Sequence, residues 1–436
     1  MAGARCLRPG TAGCAKSTSM SEKRTGLRGL FSRSPASPAP GSAPSSERYG
    51  FEYLPADSVY LDSACQTLRP QPVIDAMNDY YLTYNACGER VKYEWGRKVD
   101  DQVEGARAAV LQALDLSPRR YSASFTLNTT YGLNLLLHQL PAGRFARVVT
   151  THTEHNSVFL PTMTFARRAG IDRVLLDRDA TGELQYDEAI LDDALIVISA
   201  MNNVDGAPTR GLAELIGRAH ERGGVVLVDA AQALPHAWSM VRGLNADAVC
   251  FSAHKLYGAS LGVVAATNAL LESLDVSFIG GGQVSGVSAA EYELLPEPHT
   301  RLEPGLQAWG EIIALRAALE WLAGYRGAVG EDLSAREERL ASALFDGLAE
   351  LPNLRILSGR GSSLVSVVPG RVDGHRLAAF LSRGGIMVRS GYFCAHHWLL
   401  ENEGLPPLVR FSLGAHNTES DIERVLQTMG RLMKGL

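Results

Sequence analysis

Cysteine is scarce in this sequence and follows no pattern. The 436 residues include six cysteines, and no two of them form a Cys-x-x-Cys pair. In a chain of this length that distribution argues against a disulfide framework and favours a reducing compartment, so we expect a cytoplasmic protein. The adjacent His396 and His397 follow Cys394, but no second ligand pair accompanies them as a zinc site would require. We therefore predict no metal site.

Long apolar runs and an excess of positive charge are also lacking. No apolar run approaches the ~18 residues that a membrane-spanning helix needs, and the formal net charge is -5. Neither a membrane nor a nucleic acid is therefore an expected partner. Hydrophobic residues make up 46% of the chain and charged residues 20%, as in ordinary globular proteins. A chain of 436 residues is too long for one small core, so two domains are expected.

The first 46 residues lack apolar periodicity. They are rich in Ser, Pro, Gly, Ala and Arg, and Glu22 is their first acidic residue. This composition favours a disordered extension, or an upstream start with Met20 as the real first residue. A transit peptide rich in Arg and Ser is the alternative. The prolines between residues 35 and 44 argue against the amphipathic helix that such a peptide forms.

From Val59 onward, short apolar segments alternate with helical patterns. The predicted strands are residues 121–127, 147–151, 194–200, 225–229, 247–252 and 262–267. Strands that are apolar throughout and separated by helices indicate an α/β fold, with a mainly parallel sheet covered on both faces. We predict a large domain at residues 47–310, including an N-terminal arm, and a smaller α+β domain at residues 311–436. The strands predicted in the smaller domain lie near residues 364–368, 386–389 and 409–413.

Lys255 and Asp229 carry the strongest functional signal. Lys255 follows the apolar run Val249–Phe251, and Asp229 ends the preceding apolar strand. An apolar setting favours the neutral, nucleophilic form of a lysine, which can then bind an aldehyde cofactor covalently. A buried carboxylate needs a charged partner, and the protonated ring nitrogen of a pyridine cofactor is one. A surface lysine and a helix-capping aspartate are the alternatives, but the joint placement favours a cofactor site.

Polar residues also gather where the other predicted strands end, which is where ligands bind in open α/β sheets. The members of this group are Asn128, Thr129, Thr130, His155, Asn203, Gln232, Ser252 and His254. Thr129 and Thr130 precede a helix, so we expect them to bind a cofactor phosphate together with Ser252 and His254. Gln232 is expected to donate to the cofactor's phenolate oxygen. A lone histidine or a threonine cap is usually structural, and only the shared pattern favours function.

Together these residues resemble the class V aminotransferase family of pyridoxal-phosphate enzymes, and within it the cysteine desulfurase and selenocysteine lyase branch. The resemblance covers about Tyr60 to Leu432. Its motifs are Thr153–Ser157, Asn203–Gly206, Asp229–Gln232 and Ser252–Lys255. It implies the fold type I architecture with a mainly parallel seven-stranded sheet, pyridoxal 5'-phosphate as cofactor, and a homodimer with shared active sites. His155 is then expected to stack on the cofactor ring and pass protons, and Asn203 to belong to the cofactor site.

Two later segments resemble the desulfurase branch. The first, Arg389–Ala395, is similar to the segment that carries the nucleophilic cysteine, which makes Cys394 the candidate. The second, Leu408–Leu413, is similar to the strand whose arginine holds the substrate carboxylate, so Arg410 is the first candidate for that role and Arg389 the second. A cysteine retained as a small hydrophobe is the alternative for Cys394.

The resemblance therefore implies an enzyme that removes sulfur or selenium from L-cysteine or a near relative, an amino-acid substrate. A persulfide would form on the nucleophilic cysteine, alanine would leave, and an acceptor thiol would take the sulfur, with a sulfur-acceptor protein as the candidate partner. The residues implied to be catalytic are Lys255, Cys394 and His155.

Three segments depart from the family pattern. The stretch that reads Arg-aromatic-Glu-x-Gly-Thr in relatives is Arg301–Gln307 here, and Leu306 lacks the hydroxyl lent to the partner subunit's phosphate. Cys65 replaces a small residue of an Asp-Ser-Ala-Ala segment, and Tyr392–Phe393 replaces a turn rich in His or Asn. These changes leave open another enzyme of the family, such as a carbon–sulfur lyase, epimerase or transaminase of a specialised biosynthetic pathway. A non-enzymatic binding or scaffold protein is the alternative from a different class, and the intact cofactor residues argue against it.

Overall fold

The computed structural model describes residues 48–89, 91–179 and 181–434, so the predicted extension at residues 1–46 lies outside the described residues. The described strands are β1 (Val59–Tyr60), β2 (Tyr121–Thr126), β3 (Arg147–Thr151), β4 (Asp172–Arg178), β5 (Leu184–Gln185), β6 (Ala194–Ser199), β7 (Val225–Asp229), β8 (Ala248–Ser252), β9 (Gly262–Thr267), β10 (Val284–Val287), β11 (Tyr292–Leu294), β12 (Leu354–Ile356), β13 (Leu364–Pro369), β14 (Ile386–Met387), β15 (Arg389–Gly391) and β16 (Leu408–Ser412). The described α-helices are α1 (Gln71–Thr83), α2 (Glu94–Leu114), α3 (Thr129–Gln139), α4 (Asn156–Ala169), α5 (Leu212–Glu221), α6 (Ala233–His236), α7 (Asn268–Glu272), α8 (Trp309–Val329), α9 (Leu333–Ala349), α10 (Gly374–Arg383) and α11 (Glu419–Lys434).

The largest sheet has its strands in the order β2-β9-β8-β7-β6-β3-β4-β5. Strands β4, β3, β6, β7 and β8 are parallel to one another, whereas β9 pairs antiparallel with both β8 and β2. Strand β2 therefore runs in the same direction as β8, and the carboxyl ends of β2, β3, β6, β7 and β8 lie at one edge of the sheet. The predicted mainly parallel sheet is confirmed. Its eighth member is the two-residue β5, which pairs antiparallel with β4.

The central strands are apolar on both faces because helices cover both faces. In β6, Ile196 and Ile198 belong to one buried cluster, whereas Leu195 and Val197 belong to the other. Successive side chains of a strand point to opposite faces, so a strand buried on both sides is apolar throughout. The apolar pattern does not predict β4, because Asp and Arg occupy both of its ends and much of the strand is only partly buried.

A second, antiparallel sheet has the order β12-β13-β16-β15. Its core joins Val365 and Val409 of the sheet to Leu344 of α9, Leu377 of α10 and Val425 of α11. Strand β14 lies outside this sheet and pairs in parallel with β1. The division of the chain at residue 310 stays a prediction. Among the helices of the described residues, none combines the length and the apolar character needed to cross a membrane.

Candidate active site

A cavity of about 260 Å³ opens at the carboxyl edge of the large sheet. Several strand ends and two segments of the later part of the chain form its wall. Every site residue predicted from the sequence lines it: Thr129, Thr130, His155, Asn203, Asp229, Gln232, Ser252, His254, Lys255, Arg389, Cys394 and Arg410. The sheet direction explains the convergence of the first nine, because the strands that precede them end at the same edge.

Lys255 ends the single 3₁₀ turn Ala253–Lys255 that directly follows β8. Its side chain reaches the cavity, but the surrounding protein excludes most water, and this burial lowers the pKa of the amine. The negative charge of Asp229 opposes that shift. Because β7 and β8 are paired neighbours, their ends bring the two groups together. A lysine with a lowered pKa is neutral more often, and therefore a better nucleophile.

Asp229 is a buried carboxylate that lacks a full set of partners. Its Oδ1 accepts a hydrogen bond of 2.9 Å from the backbone N–H of Ala231. Burial raises the pKa of the carboxyl, and the Ala231 N–H and Lys255 only partly offset that effect. Three residues on, Gln232 Nε2 donates to the carbonyl of Ala64 at 2.7 Å, whereas Gln232 Oε1 is buried without a partner. The amide nitrogen keeps a second N–H for an acceptor in the cavity.

The N-terminus of α3 forms an anion-binding cradle. Asn128 caps the helix by accepting a 2.9 Å bond from the N–H of Tyr131. Ser252 Oγ accepts from the N–H of Thr129 at 3.0 Å and lies 2.6 Å from Thr129 Oγ1. Thr130 Oγ1 lies 2.6 Å from Ser157 Oγ, at the N-terminus of α4. Hydroxyls and free N–H groups at a helix N-terminus suit a phosphate, because the helix dipole favours negative charge there.

His155 is held as a neutral ring with a defined tautomer. Its Nδ1 accepts a 3.0 Å hydrogen bond from the N–H of Ser157 and so caps α4. Burial, followed by the charges of Lys255 and Arg410, lowers the pKa of His155 to about 3. The one proton of the neutral ring therefore sits on Nε2. Burial likewise lowers the pKa of His254 to about 4.

Two arginines enter the cavity from the second sheet and share one carboxylate. Strands β15 and β16 place Arg389 opposite Arg410. Arg410 is 3% exposed, donates from Nη1 to the carbonyl of Asn203 at 2.7 Å, and has a buried Nε without a partner. Its Nη2 lies 3.6 Å from Asp62 Oδ1, and Arg389 Nη1 lies 3.4 Å from Asp62 Oδ2. Burial lowers the pKa of Arg410 and raises that of Asp62.

Cys394 is exposed and sits in a strained turn. Phe393 and Cys394 have φ angles of 48° and 57°, in the left-handed region that non-glycine residues rarely adopt. Asn203 Nδ2 donates to the carbonyl of Phe393 at 2.7 Å, and the N–H of Asn156 donates to the carbonyl of Cys394 at 2.7 Å. The amide of Asn203, expected to bind the cofactor, thus holds the cysteine turn. Its predicted cofactor role stays a prediction.

Some lining residues were not assigned a role from the sequence. Ser157, Ser199 and Cys65 line the cavity, and Asp62 pairs with both arginines. Ser157 ends the Thr153–Ser157 motif, which is the one signal that could have indicated it. Leu306 does not line this cavity of the chain; it is 77% exposed beside the buried pair of Glu303 and Arg107.

Comparisons with known proteins point to one family. The aminotransferase class-V family profile matches residues 59–425. A probable cysteine desulfurase of Vibrio cholerae is 31% identical over 381 residues, covering 84% of this chain and 92% of the relative. The structure of the cysteine desulfurase CsdA of Escherichia coli, in an S-sulfonic acid form, superimposes with a TM-score of 0.80 at 29% identity, over 91% of this chain and 100% of that one. The apo cysteine desulfurase of Thermococcus onnurineus gives a TM-score of 0.80 at 29% identity, over 87% and 96% of the two chains.

Proposed function

The chain belongs to the class-V aminotransferase family, and from this premise we propose that it is a pyridoxal-phosphate-dependent cysteine desulfurase that converts L-cysteine to alanine. The family, the fold and the desulfurase-like class of enzyme predicted from the sequence are confirmed by the family match and by relatives at about 30% identity over most of the chain. The cofactor, the substrate and the role of each residue are proposals that rest on the cavity.

The cavity fits pyridoxal phosphate on three counts. The α3 cradle, with Thr129, Thr130 and Ser252, suits the phosphate. Asp229 is a buried carboxylate of raised pKa, and a protonated ring nitrogen would be its counter-charge. Lys255 is the adjacent amine of lowered pKa that would bind the aldehyde. When bound, the cofactor supplies an electron sink that makes the substrate's Cα–H acidic.

Three residues of the chain are proposed to bind the substrate and to transfer protons. Arg410 orients the substrate by its carboxylate, which takes over the position that Asp62 holds against the guanidinium. Lys255 is the general base that would take the proton from the substrate's Cα. His155 stays neutral at physiological pH and keeps its Nε2 proton available as a donor in the cavity.

Cys394 is the proposed sulfur acceptor. Its thiolate attacks the substrate sulfur, the bond between that sulfur and the substrate's carbon breaks, and Cys394 carries the sulfur as a persulfide. The electron pair of the broken bond stays with the substrate's carbon, which takes up a proton, and the carbon skeleton leaves as alanine. The observation that carries the proposal is that Cys394 and Arg410 open into the same cavity as Lys255 and Asp229, although the two pairs lie in distant parts of the chain.

The test combines product identification with mapping of the sulfur. L-cysteine should give alanine, and mass spectrometry should find one added sulfur on Cys394. A Cys394→Ser variant should form no persulfide and lose most activity, whereas Cys87→Ser, a change of an exposed cysteine outside the cavity, should act like wild type. Full activity of Cys394→Ser would contradict the proposal. Pyruvate and ammonia in place of alanine would favour a carbon–sulfur lyase.

We further propose a cytoplasmic homodimer with shared active sites that delivers sulfur to an acceptor thiol. The hairpin of β10 and β11 supports the dimer, since Val287 is 72% and Tyr292 is 52% exposed, and Leu306 is also exposed. A homodimer interface would cover these side chains, since large exposed apolar patches are typical of protein–protein interfaces. Light scattering of the purified protein tests this, and a monomer at micromolar concentration with full activity would contradict it.

A further inference from the structure

Cys65 is a second thiol in the wall of the cavity that holds Cys394. It is half-buried, whereas the other two cysteines of the described residues lie outside this wall: Cys250 is buried within β8 and Cys87 is exposed. Both cavity thiols are free. The two thiols belong to segments 329 positions apart (394 − 65), so the fold brings them to one cavity.

The segment that carries Cys65 is fixed to both halves of the site. Just before Cys65, the N–H of Ala64 donates to Ser412 Oγ at 2.9 Å, and the carbonyl of Ala64 accepts from Gln232 Nε2 at 2.7 Å. Two residues after Cys65, the N–H and hydroxyl of Thr67 donate to the carbonyl of His254 at 2.9 and 3.0 Å. The backbone on both sides of Cys65 is therefore held in place at the wall of the cavity.

The two thiols also share their cationic neighbours. Lys255 and Arg389 are each close enough to Cys65 and to Cys394 for their charges to interact, and Arg410 is close enough to Cys65. Arg410 in addition has a buried Nε without a partner, which points to an anion in this part of the cavity. The thiolate is the reactive form of a cysteine.

We propose that Cys65 is a second sulfur-carrying thiol, which takes the outer sulfur of the persulfide from Cys394; this inference rests on the proposed desulfurase activity. The Cys65 thiolate attacks the outer sulfur of the Cys394 persulfide. The bond between that sulfur and Cys394 Sγ breaks, a bond to Cys65 Sγ forms, the proton stays on the transferred sulfur, and Cys394 leaves as a thiolate. The exchange conserves the oxidation level, so neither an oxidant nor a reductant is needed. Cys394 is then free for a second substrate while the first sulfur remains in the cavity.

The transfer predicts a stoichiometry that a single sulfur carrier cannot give. In rapid-quench experiments with the pyridoxal-phosphate-loaded protein, excess L-cysteine and no added acceptor, the wild type should release a burst of about two equivalents of alanine per chain before the substrate's own thiol discharges the persulfide, against about one for a single carrier. Cys65→Ala should give about one equivalent, and alanine is small enough to fit the position of Cys65. Cys87→Ser should keep the burst of about two.

Mass spectrometry after alkylation provides the second readout. The sulfur should appear first on Cys394 and then on Cys65, with none on Cys87, and Cys394→Ser should carry none on Cys65. A burst of one equivalent in both wild type and Cys65→Ala, with sulfur on Cys394 alone, would overturn the role of Cys65 and leave the desulfurase activity standing. Equal labelling of Cys65 and Cys87, or a Cys65–Cys394 disulfide with release of sulfide, would also overturn it. If even the wild type formed no alanine, both proposals would fail.

Discussion

The turn that carries Cys394 depends on a side-chain amide 190 residues away in sequence, and Asn203→Ala tests this dependence. The substitution removes the 2.7 Å hydrogen bond from Asn203 Nδ2 to the carbonyl of Phe393. The bond from Arg410 to the backbone carbonyl of residue 203 remains. The substrate arginine therefore keeps this contact, and only the cysteine turn loses a partner.

The size of the effect follows from the strain in the turn. Two consecutive non-glycine residues in the left-handed region cost roughly 1–2 kcal/mol each. One neutral hydrogen bond contributes about 1 kcal/mol net. Losing it should lower the equilibrium constant for forming the reactive turn roughly fivefold, with the bond between Asn156 N–H and the Cys394 carbonyl still holding the other side. We expect kcat for alanine formation to fall by up to about that factor.

The assay should separate the turn from the cofactor. Single-turnover persulfide formation on Cys394 and the affinity for pyridoxal phosphate are measured for Asn203→Ala and for Asn402→Ala. Asn402 is a suitable control because its amide makes only a 3.4 Å contact with His152 nearby. Slower persulfide formation with unchanged cofactor affinity is the expected result. Weakened cofactor binding with an unchanged rate from the loaded enzyme would refute the reasoning and restore the cofactor role predicted from the sequence.

Three further predictions concern charge. Arg410→Lys should raise KM for L-cysteine roughly tenfold or more, because charge-assisted hydrogen bonds contribute about 1.5–3 kcal/mol. Arg389→Lys changes a half-exposed position and should raise KM less. Equal KM values for the two variants would contradict this prediction. Burial raises the pKa of Glu154 from 4.5 to about 7, so the carboxyl stays protonated in the folded protein at pH values where it is ionised in the unfolded chain. Its contribution to the free energy of unfolding therefore falls as the pH rises from about 4.5 to 7. Urea unfolding should therefore show that the free energy of unfolding of the wild type falls by up to about 3 kcal/mol between pH 5 and pH 8, whereas that of Glu154→Gln does not. An identical pH dependence of the two proteins would exclude Glu154 as the cause. Arg107→Met breaks a buried bidentate pair with Glu303, at 2.6 and 2.7 Å, and should cost about 3–5 kcal/mol of unfolding free energy. Arg218→Met, at an exposed pair with Glu214, should lower the free energy of unfolding far less, and equal losses from the two substitutions would show that burial is not the cause.

The sequence predicts well where the proposed cofactor-binding residues lie, because local pattern and sheet geometry determine their position. The predicted strands at residues 225–229 and 262–267 coincide with β7 and β9, and β8 differs from its prediction by one residue. Apolar strands buried on both faces are easy to recognise, and parallel strands necessarily end at one edge. The same reasoning does not predict strand β4, because this strand is partly exposed and therefore carries charged residues in place of a continuous apolar run.

The substrate half of the site is harder to predict because long-range pairing creates it. Ala64 and Cys65 lie in the wall of the cavity. Their segment is held there by the pairing of β1 with β14 and by the bond of Ala64 to Ser412, contacts that no local pattern encodes. The contact of Asp62 with the arginines depends on the register that sets Arg389 opposite Arg410. The direction of the Asn203 amide likewise depends on the Phe393 carbonyl. Periodicity can indicate that such residues are near a strand end, but not which groups they meet.

Asp62 provides a counter-charge for the buried Arg410 when no substrate is bound. A buried guanidinium without a counter-charge costs several kcal/mol, and Asp62 supplies that counter-charge to Arg410. The pairing is incomplete, since the separation is 3.6 Å and both Asp62 Oδ1 and Arg410 Nε lack hydrogen-bond partners. A substrate carboxylate can therefore gain a closer, bidentate contact with Arg410, while Asp62 keeps Arg389 as its partner. A neutral analogue cannot make this exchange, so the incomplete internal pair favours amino acids with a free α-carboxylate over amides and amines.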